Sequence, residues 1–214
     1  WAEQMLRESG LDAAALTRAW PRYDAMRTEL AVGQFADLVN DAAVFPSLDD
    51  VLDVARRKSG NYTVRRPLEI GASLAGCDDR VLTALGGYGA AVGEAFQLRD
   101  DRPGGLGSPE TTGKPAGADL AARKATTVVV AAYQLAGTAQ RRDLGRLMTA
   151  DHLSPADIAQ WQILIADIGT VDWIEQLIDQ RLTCALDSLD AMALDSAARS
   201  ALIAMAAVCT ERVT

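Results

Sequence analysis

Val81, Leu85, Tyr88, Val92 and Phe96 recur at three- and four-residue intervals, the spacing that puts apolar side chains on one stripe of an α-helix. A segment with this pattern has to bury the stripe against other elements. Similar spacing returns in most of the chain, while the strict alternation of a half-buried strand never runs to useful length; even Val128-Val129-Val130 sits inside a helical pattern. The expected fold is therefore all-α. Several helical segments longer than about twenty residues, joined by short connections, predict a large antiparallel helix bundle around a central cavity, the place where bundles hold ligands. At 214 residues and 49% hydrophobic, the chain can bury a substantial core, and 1–214 reads as a single domain.

The helix over residues 81–96 runs into Asp100-Asp101, and Pro103 is expected to stop it there. Two adjacent carboxylates oppose each other's ionisation, and the negative end of the helix dipole opposes both. A divalent cation would relieve this. Mg²⁺ takes oxygen ligands, often one or two carboxylates with water and phosphate oxygens filling the remaining positions. Gln97 lies on the same face, three and four residues earlier. A solvated helix end would fit the acid pair equally well. The lysines favour the cation: of 21 Lys and Arg residues only Lys58, Lys114 and Lys124 are lysine, and two of these follow the acid pair closely. Compact ammonium groups in a glycine-bearing, acid-flanked segment suit contact with phosphate.

The rest of the chain supplies the surroundings. Residues 1–9 form a short helix ending at Gly10. Asp12 can cap the next turn, and Pro21 fits the first turn of a longer helix reaching about residue 42. That helix carries a stripe of Tyr23, Met26, Leu30 and Gly33, and a polar row of Gln34, Asp37 and Asp41, which faces either solvent or a polar cavity. Ser47 and Asp50 form a capping box for a third helix. Gly60, with Ser59, Asn61 and Thr63 around it, then predicts a kink or local break, which would let Lys58 and Thr63 point the same way. Gly86, Gly87, Gly89 and Gly93 inside one helix imply close helix packing or room for a ligand. Residues 103–118 read as the one long loop, and Asp119 as the cap of the following helix.

A net charge of −8 and a pI near 4.7 exclude a general nucleic-acid or anionic-membrane surface. Cys77, Cys184 and Cys209 are odd in number and lack metal-ligand spacing, so reduced cytoplasmic thiols are expected. No apolar run is long enough for an integral membrane segment, and the first residues do not form a signal peptide.

These residues resemble a known family. Phe96-Gln97-Leu98-Arg99-Asp100-Asp101 is similar to the second aspartate-rich motif of trans-isoprenyl diphosphate synthases, the group that includes farnesyl and geranylgeranyl diphosphate synthases. The likeness continues through Gly113-Lys114-Pro115-Ala116-Gly117 and Lys124-Ala125-Thr126. It reaches back to Lys58-Ser59-Gly60 with Thr63, to Arg66-Pro67-Leu68 and Ile70-Gly71-Ala72, and to Glu29-Leu30, Gly33-Gln34 and Asp37-Leu38. The resemblance implies an all-α prenyltransferase of the isoprenoid synthase type. Such an enzyme ionises an allylic diphosphate with Mg²⁺ and couples the cation to isopentenyl diphosphate. It further implies that Asp100 and Asp101 hold a magnesium ion, that Lys58, Lys114 and Lys124 bind the allylic diphosphate, that Gln97 orients it, and that Thr63, Gln34 and Asp37 line the cavity. Phe96 belongs to the same substrate-binding set, and a cytoplasmic homodimer is implied as well.

The sequence departs from the family pattern at Gly104, where some members carry a third aspartate, at Arg102-Pro103, and at Ser108 and Ala118. The one Asp-Asp-x-x-Asp, Asp49-Asp50-Val51-Leu52-Asp53, stands just before Lys58-Ser59-Gly60, whereas the resemblance puts the family's first aspartate-rich motif ahead of the segment that Trp1-Ala2-Glu3-Gln4-Met5-Leu6 resembles, so that motif is expected to be absent from this chain. The expectation is the C-terminal part of a short-chain synthase, inactive without its N-terminal helices. The alternative is a non-catalytic helical partner subunit of a heteromeric prenyl diphosphate synthase.

Overall fold

The computed structural model describes residues 1–41, 45–106, 117–192 and 194–210, and among them every regular element is helical. In chain order these are α1 (Ala2–Arg7), α2 (Ala13–Asp41), α3 (Leu48–Val54), a π-helix (Ala55–Arg65), α4 (Arg66–Ala75), α5 (Asp79–Leu106), α6 (Ala118–Ala121), α7 (Thr127–Leu135), α8 (Thr138–Thr149), α9 (Pro155–Asp167), α10 (Thr170–Asp190) and α11 (Ser196–Thr210). The all-α bundle expected from the periodicity is the observed architecture.

Helix α5 is the axis, because two hydrophobic clusters meet on it. Towards its C-terminal end Ala95 and Leu98 pack with Leu120, Val128, Leu147, Trp161, Ile174 and Ile178. In its middle, Tyr88, Ala91 and Val92 pack with Val64, Ala185, Leu189 and Ala206. Of the stripe read from the sequence, Tyr88 and Val92 lie in the second cluster, while the first draws on Ala95 and Leu98 beside the stripe. The glycines on α5 serve packing: a Cβ on Gly93 would fall 2.4 Å from the Gly60 carbonyl oxygen, and one on Gly89 would fall 2.6 Å from the Arg65 Cα. Small residues here let the π-helix backbone lie directly on α5.

Three local expectations are corrected. Pro21 does not open a helix; it lies inside α2, which Asp12 starts by accepting from the Ala15 N–H at 2.9 Å. The proline removes one rung, but buried Ala15, Ala19 and Tyr23 hold the segments on either side against the bundle, and Arg18 donates to the Ser73 and Leu74 carbonyls at the end of α4. Pro103 likewise does not end α5, which continues to Leu106; one lost rung leaves those of its neighbours intact. Residues 103–106 are therefore helix, and the remainder of the expected loop, except Gly117 and Ala118, lies outside the described residues. Asp119 does not cap either: Gly117, at φ 74°, occupies the N-cap position of the short α6, and Asp119 sits in its first turn.

The break predicted around Gly60 takes the form of the π-helix over Ala55–Arg65, a form of helix that occurs preferentially at functional sites. Its neighbour α2 approaches at Gly33, where a Cβ would fall 2.8 Å from the Lys58 backbone nitrogen. That contact brings the polar row of α2 beside Lys58.

Candidate active site

Lys58 donates from Nζ to Asp37 Oδ2 at 2.5 Å, so the π-helix and α2 contribute one half of the pair each. Both side chains are about one-third exposed. Gln34, also on α2, and Thr63 on the π-helix are exposed, and neither hydrogen-bonds to this pair. The structure therefore joins Lys58 to Asp37 and leaves Thr63 outside that contact.

At the other end of the expected site, Asp101 is half-buried with both carboxylate oxygens engaged. Gln97 Nε2 donates to Oδ1 at 2.6 Å, and Thr127 Oγ1 donates to Oδ2 at 3.0 Å. Burial pushes the Asp101 carboxyl up to about 6; the two hydrogen bonds pull the other way, and the negative charges of Asp100 and Asp119 add to the rise. Asp100, next to it, is exposed. Lys124, 59% exposed, stands 3.4 Å from Asp119 Oδ1. Gln97, Asp101 and Thr127 thus form one hydrogen-bonded group between α5 and α7, with Asp100 next in the chain, and the Asp119–Lys124 pair is near enough for the Asp119 charge to act on Asp101. Phe96 is half-buried on the preceding turn, and Lys114 lies outside the described residues.

Thr127 is not singled out by the sequence, and Asp119 is read there only as a helix cap. Thr126 accepts from the Val129 N–H and caps α7. The next residue, Thr127, is then fully buried and turned to Asp101. A Thr-Thr pair at a helix start is a usable signal, since one hydroxyl caps and the other is free for a different partner. For Asp119 the helix-start reading was the wrong one of two local roles open to an aspartate.

Asp100 and Asp101 lie more than a turn before the end of α5 at Leu106, and among the described residues no group of three or more Asp, Glu, His or Cys side chains is placed to hold a metal ion; two carboxylates leave most positions of a hard cation to water or phosphate oxygens. None of the site residues expected from the sequence lines the cavity found elsewhere in the bundle. A cavity of 430 Å³ opens between α2, α4 and α5, lined by Arg22, Arg65, Arg66, Glu69, Leu82 and Gly86 among others. Its charges are largely committed: Arg66 donates to Glu29 at 2.5 and 2.9 Å and to Glu69 at 2.5 Å, and Arg65 donates to Glu69 at 2.9 Å.

Comparison with known proteins defines the class of this all-α bundle. Residues 3–164 match the family model described as polyprenyl synthetase. The chain is 32% identical over 178 residues to a geranylgeranyl diphosphate synthase of Mycobacterium tuberculosis, covering 83% of this chain and 51% of that protein. It is 41% identical over 114 residues to a (2E,6E)-farnesyl diphosphate synthase of Mycobacterium bovis, covering 53% of this chain and 32% of the relative. A geranylgeranyl pyrophosphate synthase from Corynebacterium glutamicum, solved in complex with isoprenyl diphosphate and magnesium, superposes with a TM-score of 0.92 at 38% identity, over 99% of this chain and 60% of that one. The chain belongs to the polyprenyl synthetase family. It spans about half the length of the first of these relatives.

Proposed function

We propose that the protein is a trans-prenyltransferase, a short-chain isoprenyl diphosphate synthase that condenses an allylic diphosphate with isopentenyl diphosphate. The observation that carries this reading is the hydrogen-bonded group of Gln97, Asp101 and Thr127 beside the exposed Asp100, with the Asp119–Lys124 pair near it, in a chain of this family. Asp100 and Asp101 would hold Mg²⁺, which when bound supplies positive charge to the departing diphosphate. Lys58, Lys114 and Lys124 bind that diphosphate as point charges, and Asp37 positions Lys58 for it. Gln97 orients the diphosphate end and Asp101 together, while Gln34, Thr63 and Phe96 complete the lining around the allylic chain.

In the reaction the allylic C–O bond breaks with its electron pair leaving on the diphosphate. The double bond of isopentenyl diphosphate then attacks the allylic carbon, and a proton leaves to restore a double bond. The protein's part is electrostatic: donors and cations fixed in advance where charge develops, with water excluded from the cation. We further propose a cytoplasmic homodimer, as likeness to the family implies. No described helix is long and apolar enough to cross a membrane.

The test is a radiolabelled coupling assay on the full-length protein with Mg²⁺, isopentenyl diphosphate and each short allylic diphosphate. A prenyl diphosphate longer by one or more five-carbon units is the expected product. Absence of product from every allylic substrate, with a folded protein, would overturn the enzyme reading and favour a non-catalytic partner subunit.

A further inference from the structure

Arg99 immediately precedes Asp100, yet its side chain leaves the cluster. Successive residues of an α-helix project about 100° apart, so a side chain fixed at position 99 sets the direction in which position 100 points. The Arg99 guanidinium is held from two other helices. Nη1 and Nη2 donate to the two carboxylate oxygens of Glu175 on α10 at 2.7 and 3.0 Å, a two-pronged pairing. Nε donates to the Thr210 carbonyl oxygen at 3.0 Å. Thr210 is the last residue of α11, so this carbonyl is one of those that a helix end leaves without an intrahelical partner. Both members of the ion pair are largely buried, with side chains 16% and 18% exposed. Leu98, on the other side of Arg99, is locked in the core at 1% exposed.

We infer that Arg99 and Glu175 are positioning residues for the metal-binding end of α5, and that α10 and α11 thereby set the geometry of Asp100. Glu175 and α11 both lie beyond residue 164, where the match to the family model ends. This part of the chain packs on α5 and also clamps its end: Arg99 fixes the rotation of the last turns, Asp100 is held facing the cluster, and Asp101 stays within reach of Gln97 and Thr127. The pairing also leaves the guanidinium charge balanced by Glu175, away from the cation. Arginine is required, because a lysine keeps the charge but cannot make the two-pronged pairing and the carbonyl contact at once. The inference rests on the reading of Asp100 as a metal ligand.

The experiment titrates Mg²⁺ into the full-length protein with inorganic pyrophosphate, by calorimetry, beside thermal unfolding of each variant. Arg99→Lys and Glu175→Gln should each weaken Mg²⁺–pyrophosphate binding at least fivefold. The double variant should be no weaker than the worse single one, because both changes break the same clamp. Arg199→Gln, which removes a surface pair with Asp190, should leave binding within twofold. If Arg99→Lys, the mildest change, lowers the melting temperature but leaves binding within twofold, the pair only supports the fold and the inference is overturned. Asp100→Ala separates the two levels: no loss of binding in that variant refutes the metal-ligand reading itself, whereas a loss there without one at Arg99 or Glu175 refutes only the clamp.

Discussion

Gly93→Ala should destabilise the protein although alanine is the better helix former. The added methyl would sit 2.4 Å from the Gly60 carbonyl oxygen and 2.7 Å from both the Gly60 carbonyl carbon and its Cα. All three are backbone or Cα atoms of the π-helix, and no flexible side chain can swing away. Overpacking of this kind costs about 1–3 kcal/mol, and the rigid neighbour puts this site near the upper value. Alanine's propensity advantage offsets about 1 kcal/mol. A net loss of about 1–2 kcal/mol follows, or about 3–6 °C in melting temperature for a chain of this size. Gly71→Ala is the control, since its Cβ would meet nothing within 4 Å; it should gain about 0.5–1 kcal/mol. Urea unfolding of both variants measures the difference. Because Lys58 is two residues from Gly60, Gly93→Ala should also weaken pyrophosphate binding, which Gly71→Ala should not. A Gly93→Ala protein as stable as the wild type would refute the claim that the π-helix backbone lies on α5.

Lys58→Ala and Lys124→Ala should each weaken Mg²⁺–pyrophosphate binding by about 10- to 100-fold, the worth of a charge-assisted contact, as read by calorimetry. Lys124 is exposed, so its removal should leave the melting temperature unchanged; unaltered binding would return it to the solvated surface. Glu29→Gln should cost about 2–3 kcal/mol at pH 7, because it strips one partner from the largely buried Arg66. Burial raises the Glu29 carboxyl, but hydrogen bonds and charge from Arg66 outweigh it and hold the group below its usual 4.5. The pair's contribution is therefore present above pH 4.5 and lost as pH falls through the lowered value. The gap between Glu29→Gln and wild type should close in acid, and a gap constant with pH would show that Glu29 does not act through its charge.

Much of the bundle was legible because it rests on local rules. The stripe from Val81 to Phe96 required a helix, Asp12 and Ser47 cap where the sequence places them, and Gly60 with its polar neighbours marked the π-helix. The two prolines were misread for one reason: a proline removes a single hydrogen bond, and whether the helix survives depends on packing elsewhere. At Pro21 that packing comes from Ala15, Ala19 and Arg18, none of which signals it locally. Lys58 and Asp37 could each be picked out by residue type and spacing. Their contact depends on Gly33 admitting the π-helix, which is information about two helices at once.

The acid pair shows where sequence reading stops. Asp100 and Asp101 are the same residue type, adjacent and on one helix, so residue type and spacing cannot distinguish them. The fold does. Rotated about 100° from its neighbour, Asp101 meets the amide of Gln97 one turn back and the hydroxyl of Thr127 on another helix, and burial there raises its carboxyl to about 6. Asp100 remains exposed. On the proposed reading the two carboxylates would divide the work: Asp100 would bind a cation through either oxygen, while Asp101, already accepting at both oxygens, would supply field and rigidity and reach the metal only through its remaining lone pairs. The division depends on Thr126 taking the cap of α7, which turns Thr127 inward, and on Arg99 holding the rotation of α5 through Glu175 and Thr210. A change at either distant support should thus alter Asp100 and Asp101 unequally, with the buried carboxylate responding to Thr127 and the exposed one to Arg99.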